Sequence, residues 1–87
     1  MPQLDEIALY ATEGCHLCDI ATVEIQQALI AFPDQRIAYV DIVESDDLVT
    51  RYGERIPVLV NETHHAELGW PFTAEDVQVW LKNQWAN

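Results

Sequence analysis

Along the chain, apolar and polar residues fall into seven segments separated by glycine, proline or short polar runs. "EIALYAT" (6–12) has Ile7, Leu9 and Tyr10 on both of its faces, the pattern of a buried central strand. Gly14 breaks that run. From Cys15 to about Phe32 the period becomes helical: Leu17, Ile20, Ala21, Ile25, Ala28, Leu29 and Phe32 gather near one face, with Asp19, Glu24, Gln26 and Gln27 largely off it. Pro33 and Asp34 end the helix, and "RIAYVDI" (36–42) alternates as a second strand. Strand, helix, strand predicts a right-handed unit with parallel strands. In "SDDLVTRYG" (45–53), Ser45 suits an N-cap, Asp46 and Asp47 the positive end of the helix dipole, and Gly53 a C-terminal stop. "IPVLVN" (56–61) reads as a third strand, and "HHAELGW" (64–70) as a fourth returning beside it, although "NET" between them is a weak turn signal. Thr73 and Asp76 have capping-box spacing, and Phe72 can staple onto Val77. Val77, Trp80, Leu81 and Gln84 then follow at helical spacing, with Trp85 bordering their face. The order β-α-β-α-β-β-α predicts an α/β fold, a four-stranded mixed sheet flanked by helices.

Eighty-seven residues make one domain, 1–87, whose core supplies stability on the order of 3–5 kcal/mol. Fifteen acidic residues against four basic ones give a formal charge of −11. Such a surface repels nucleic acid and anionic lipid, and Arg36, Arg51, Arg55 and Lys82 form no basic cluster. The acidity serves solubility or suits a basic protein partner. No apolar run approaches the ~20 residues of a membrane span, and "MPQLDEIALYA" lacks the features of a signal peptide. We therefore expect a cytoplasmic monomer that binds neither membrane nor nucleic acid.

In a reducing compartment a Cys-x-x-Cys pair points to redox or metal chemistry, and Cys15 and Cys18 are the only cysteines of the chain. A bridge this short constrains the unfolded chain little, so stabilising the fold is a poor reason for it. Three readings compete: a redox dithiol, half a metal site, or two small core residues. Cys15 is placed at the start of the first helix, where unpaired backbone N–H groups and the helix dipole favour the thiolate, the reactive form. Cys18, one turn on, is placed to resolve a mixed disulfide on Cys15. His16, if protonated, would stabilise the thiolate; Glu13 and Asp19 oppose that. A metal site would need further ligands, for which His64 and His65 are the obvious supply. On a strand they point to opposite faces, which leaves three ligands at most. We expect no metal.

Cys-x-x-Cys opening a helix after one strand, then Ile-Pro-Val-Leu opening a third strand, resembles the thioredoxin fold in its short, glutaredoxin form. More narrowly, "GCHLCD", "RIPVL" and "WPF" resemble a family of small glutaredoxin-like proteins, over roughly residues 6 to 84. The resemblance implies Cys15 as nucleophile, Cys18 as resolving thiol and Pro57 as a cis-proline facing the dithiol. It also implies that Ile56 offers its backbone to a bound glutathione or peptide, and that Arg55 pairs with a glutathione carboxylate. His16 joins this substrate-binding set. The departures bear on glutathione: Thr12 stands where glutaredoxins usually have lysine, His16 and Leu17 where they often have Pro-Tyr. A single glycine, Gly69, precedes Trp70 where they carry Gly-Gly followed by an Asp. The expected function is thiol–disulfide exchange on a protein or small-molecule disulfide. It needs no bound cofactor beyond the Cys15–Cys18 disulfide, and glutathione is the candidate co-substrate. The alternatives are a thioredoxin-fold binding module with little turnover, and iron–sulfur or zinc carriage through the cysteine pair.

Overall fold

The computed structural model describes residues 6–85; the Trp85 side chain, expected to border the inner face of the last helix, lies outside the described residues. The elements are β1 (Ile7–Ala11), α1 (His16–Ala28), β2 (Ile37–Asp41), α2 (Asp46–Tyr52), β3 (Val58–Asn61), β4 (Glu67–Gly69) and α3 (Ala74–Trp85). This is the expected order. The sheet runs β2-β1-β3-β4, with β1 and β2 parallel and the other two pairings antiparallel.

Every residue of β1 is buried because each face of the central strand has its own cover. Ile7, Leu9 and Ala11 pack with Leu59 against Cys18, Ala21, Ile25 and Ala28 of α1 and Val77, Trp80 and Leu81 of α3. Ala8 and Tyr10 pack with Val58 and Val60 against Ile42 and Tyr52. α3 is started by the expected box: Thr73 Oγ1 accepts from the Asp76 N–H at 3.2 Å, and Asp76 Oδ2 accepts from the Thr73 N–H at 2.9 Å. Phe72 and Val77 are both buried in that same core. Ser45 caps α2 by accepting from the Leu48 N–H at 3.4 Å. Gly53 is the expected stop of α2; its backbone stays right-handed at φ −52°, and glycine is needed there because a Cβ would meet the Val49 carbonyl oxygen at 2.6 Å.

Three expectations are corrected. α1 is shorter than the run to Phe32: regular helix ends at Ala28 and tightens into a 3₁₀ turn at Leu29–Ala31. Pro33 excludes helical backbone from the residue before it, and Phe32 sits at φ −132°, ψ 64°. Second, Leu17 and Ile20 do not join the core; they are 45% and 39% exposed, while Cys18 takes the inward position. Periodicity alone gives the width of an apolar stripe, not which edge is covered. Third, His64 and His65 lie in the β3–β4 turn, not on a strand. Asn61 makes that turn, its Oδ1 accepting from the N–H groups of Thr63 and His64 at 2.9 and 3.1 Å. His65 adopts left-handed φ of 65° to close it.

Candidate functional site

The register of the sheet gathers the sequence motifs at one end. β1 runs toward Ala11 and, through Gly14 at φ +75°, into Cys15. β3 is antiparallel to it, and Tyr10 pairs with Val58, so Ile56 and Pro57 enter the sheet at that same end. β4 returns there too, because Gly69 pairs with Val58, and the Trp70 N–H donates to the Pro57 carbonyl at 3.2 Å. The Ile56–Pro57 and Trp70–Pro71 peptide bonds are both cis. The side chains of Cys15, Ile56 and Trp70 all pack on the α1/α3 core, and Trp70 meets Phe72 edge to face at 5.1 Å.

Cys15 is the N-cap of α1, with extended backbone (φ −90°, ψ 108°). Its Sγ accepts from the Cys18 N–H at 3.1 Å, taking the place of the side-chain oxygen that usually caps a helix. The two cysteines are joined as a disulfide with a Cα–Cα distance of 5.2 Å. They differ in access. Cys15 is partly exposed, whereas Cys18 is 3% exposed, on the inward face of α1. His16 is the first residue of the helix and is exposed.

Carboxylates surround this end. Partial burial of the ring, then the charges of Asp41, Glu13 and Asp19, raise the Tyr39 phenol above its ordinary 10.0. Arg55 is already engaged: its guanidinium pairs with Glu67 and lies 5.0 Å from the centre of the Tyr52 ring. Tyr52 donates to the other oxygen of Glu67 at 2.7 Å. Those two hydrogen bonds, Tyr52 first and Arg55 second, hold the Glu67 carboxyl below its usual range. Arg55 therefore lines a cavity of about 430 Å³ with Arg51, Tyr52, Val60, His65 and Glu67, on the α2 side of the sheet. Sequence reading missed Glu67 as its partner, since only strand pairing brings residues 55 and 67 together.

The zinc alternative called on His64 and His65, and the structure places them away from the dithiol. Their turn follows Asn61, which pairs with Ile7 at the opposite end of β1. Among the described residues no three His, Cys, Asp or Glu side chains are grouped to hold a metal ion. Nor is any described helix long and apolar enough to cross a membrane.

The Glutaredoxin-like domain (DUF836) matches residues 6–82, which includes both cysteines, Pro57 and most of α3. The chain belongs to this glutaredoxin-like family. It is similar to the X-ray structure of target protein XcR50 from X. campestris at 35% identity and a TM-score of 0.72, over 88% of this chain and 96% of that one. Protein Ne2328 from Nitrosomonas europaea is 20% identical with a TM-score of 0.73, over 92% and 94% of the two chains. Thioredoxin-2, a component of the malaria parasite protein secretion machinery, is 15% identical with a TM-score of 0.73, over 95% and 85%. The last two likenesses establish the thioredoxin-like fold alone. No curated protein matches the chain.

Proposed function

We propose that this glutaredoxin-like protein is a thiol–disulfide oxidoreductase. The observation that carries the reading is the asymmetry of the pair: Cys15 partly exposed at a helix N-cap and hydrogen-bonded from the Cys18 N–H, Cys18 buried one turn behind it. The N–H donor and the helix end favour a thiolate at Cys15. That thiolate attacks one sulfur of a substrate disulfide, forming a mixed disulfide and expelling the other substrate sulfur as a thiolate. Cys18 gives up its proton and attacks the Cys15 sulfur, which forms the Cys15–Cys18 disulfide and releases the second substrate thiolate. Two electrons pass to the substrate, and two equivalents of an external thiol, glutathione being the candidate, restore the dithiol. Ile56 and Pro57, at the same end of the sheet, would receive the substrate backbone. His16 beside the nucleophile would add a positive charge when protonated. Because Arg55 is occupied by Glu67, a glutathione carboxylate would have to share it.

Equilibration in glutathione redox buffers, with alkylation of free thiols and mass measurement, tests the reading. The expected result is a two-electron switch between dithiol and disulfide at about −200 to −270 mV. Cys18→Ser should instead accumulate substrate or glutathione on Cys15. Thiols that stay free in the most oxidising buffer would overturn the proposal.

A further inference from the structure

The dithiol end of the molecule combines carboxylates, no unpaired arginine or lysine nearby in sequence, and two exposed apolar side chains, Leu17 and Ile20. Residues 1–35 contain no lysine or arginine. Arg36 directly precedes β2, which is parallel to β1, so it stands at the far end of the sheet from Asp41 and the cysteines. Lys82 lies eight residues into α3, about 12 Å along the helix from Ala74. Arg51 lines the cavity on the α2 face, and Arg55 is neutralised by Glu67.

The two flanks of α1 differ. Leu17, Ile20 and Glu24 lie at spacings of three and four and share one flank. Glu24 Oε1 accepts from the Ala74 N–H at 3.2 Å, which turns that flank toward the start of α3. Its two apolar side chains are 45% and 39% exposed, beside the disulfide. On the other flank Asp19 precedes Thr22 and Gln26, which line the groove against Tyr39 of β2. There the charges of Asp41, Glu13 and Asp19 act together on the Tyr39 phenol.

We infer that the dithiol end docks an extended protein segment whose reacting cysteine has apolar neighbours on one side and lysine or arginine on the other. The apolar side seats on Leu17 and Ile20, and the cations face Glu13, Asp19 and Asp41. A second copy of this chain is a poor occupant, since each carries −11. The inference deepens the exchange reading and rests on it, naming the class of disulfide that Cys15 meets.

The test uses the disulfide form of the protein and two fluorescent peptides of equal length, with serine in place of the reacting cysteine. One has leucines before the serine and lysines after it; the other replaces the lysines by glutamates. At low ionic strength the basic peptide should bind about tenfold more tightly or better, and the advantage should shrink as salt is added. Asp19→Lys should abolish the preference and Asp19→Asn should halve it or more, while Leu17→Ser should weaken both peptides alike. Equal affinities, a preference unmoved by both Asp19 variants, or no binding of either peptide would overturn the inference. Reduction of hydroxyethyl disulfide, which is small and uncharged, is measured in parallel. Its absence would defeat the exchange reading without bearing on the docking result.

Discussion

Toward α1 and α3, the central strands present Ile7, Leu9, Ala11 and Leu59, and what packs on them is mostly hydrocarbon, with the buried Cys18 sulfur and one neutral hydrogen bond, Asn61 to Gln84 at 3.0 Å. Toward α2, the alternate residues are Ala8, Tyr10, Val58 and Val60, and two tyrosines carry the contact, their rings edge to face at 4.9 Å. Both phenols end on carboxylates, Tyr10 on Glu62 at 2.9 Å and Tyr52 on Glu67 at 2.7 Å. The first face is held by volume, which neither salt nor pH alters much. The second is held partly by hydrogen bonds to charge, which both alter. The dithiol helix rests on the first face. Cys18 thus sits where packing fixes position, and the hydrogen-bonded tyrosine–carboxylate pairs lie on the other side.

Core truncation should separate the faces most clearly. Leu59→Ala, at a fully buried position under α1 and α3, is expected to lower unfolding free energy by about 2–5 kcal/mol. Val60→Ala, one residue on and facing α2, should cost about half as much. Urea unfolding of the dithiol form measures both; equal losses would mean that the two faces share one packing regime.

A smaller effect, of the opposite kind, is expected at Glu67. Glu67→Gln removes the charged acceptor of Tyr52 and Arg55 and should cost about 1 kcal/mol near neutral pH, given its partial exposure. The folded carboxyl titrates below its ordinary 4.5, so its contribution is present above that value and is lost as pH falls through the lowered one. Wild type and variant should therefore converge in acid. A gap that stays constant from neutral pH into acid would remove the electrostatic half of the comparison.

The smallest expected signal is spectroscopic. Burial, then the hydrogen bond to Glu62, raises Tyr10 to about 12. The phenol is favoured in its protonated form by folding, so this contribution is complete below pH 10 and declines as pH rises through 12. Tyrosinate absorbance should show all three tyrosines titrating above the ordinary 10.0, and Glu62→Gln should bring the Tyr10 component earlier. A Tyr10 midpoint at its ordinary value would show that the α2 face is wetter than its geometry implies.

Much of this is legible in the residue pattern alone. The unbroken apolar run of β1 marks a strand covered on both sides, and the Thr73–Asp76 spacing marks the start of α3 because capping is local chemistry. The strand–glycine–cysteine corner likewise places Cys15 at a helix end from its immediate neighbours alone. What escaped was non-local. Leu17 and Ile20 are as apolar as Ile25, and only the position of α3 decides that they stay outside. Arg55 has a specific partner through the β3–β4 register, and that hairpin turns on the side chain of Asn61 and a left-handed His65, which no Gly pair announces.

The carboxylate of Glu24 has a wider reach than its length suggests. By accepting from the Ala74 N–H, it makes the dithiol helix supply part of the cap of the last helix, fifty residues later in the chain. The two helices then share one opening event: if α1 loosens around the cysteines, the first turn of α3 loses a partner. The hydrogen-exchange rate of the Ala74 amide consequently reports on the integrity of α1, and comparing it in the dithiol and disulfide states reads how far reduction loosens the helix that carries the chemistry.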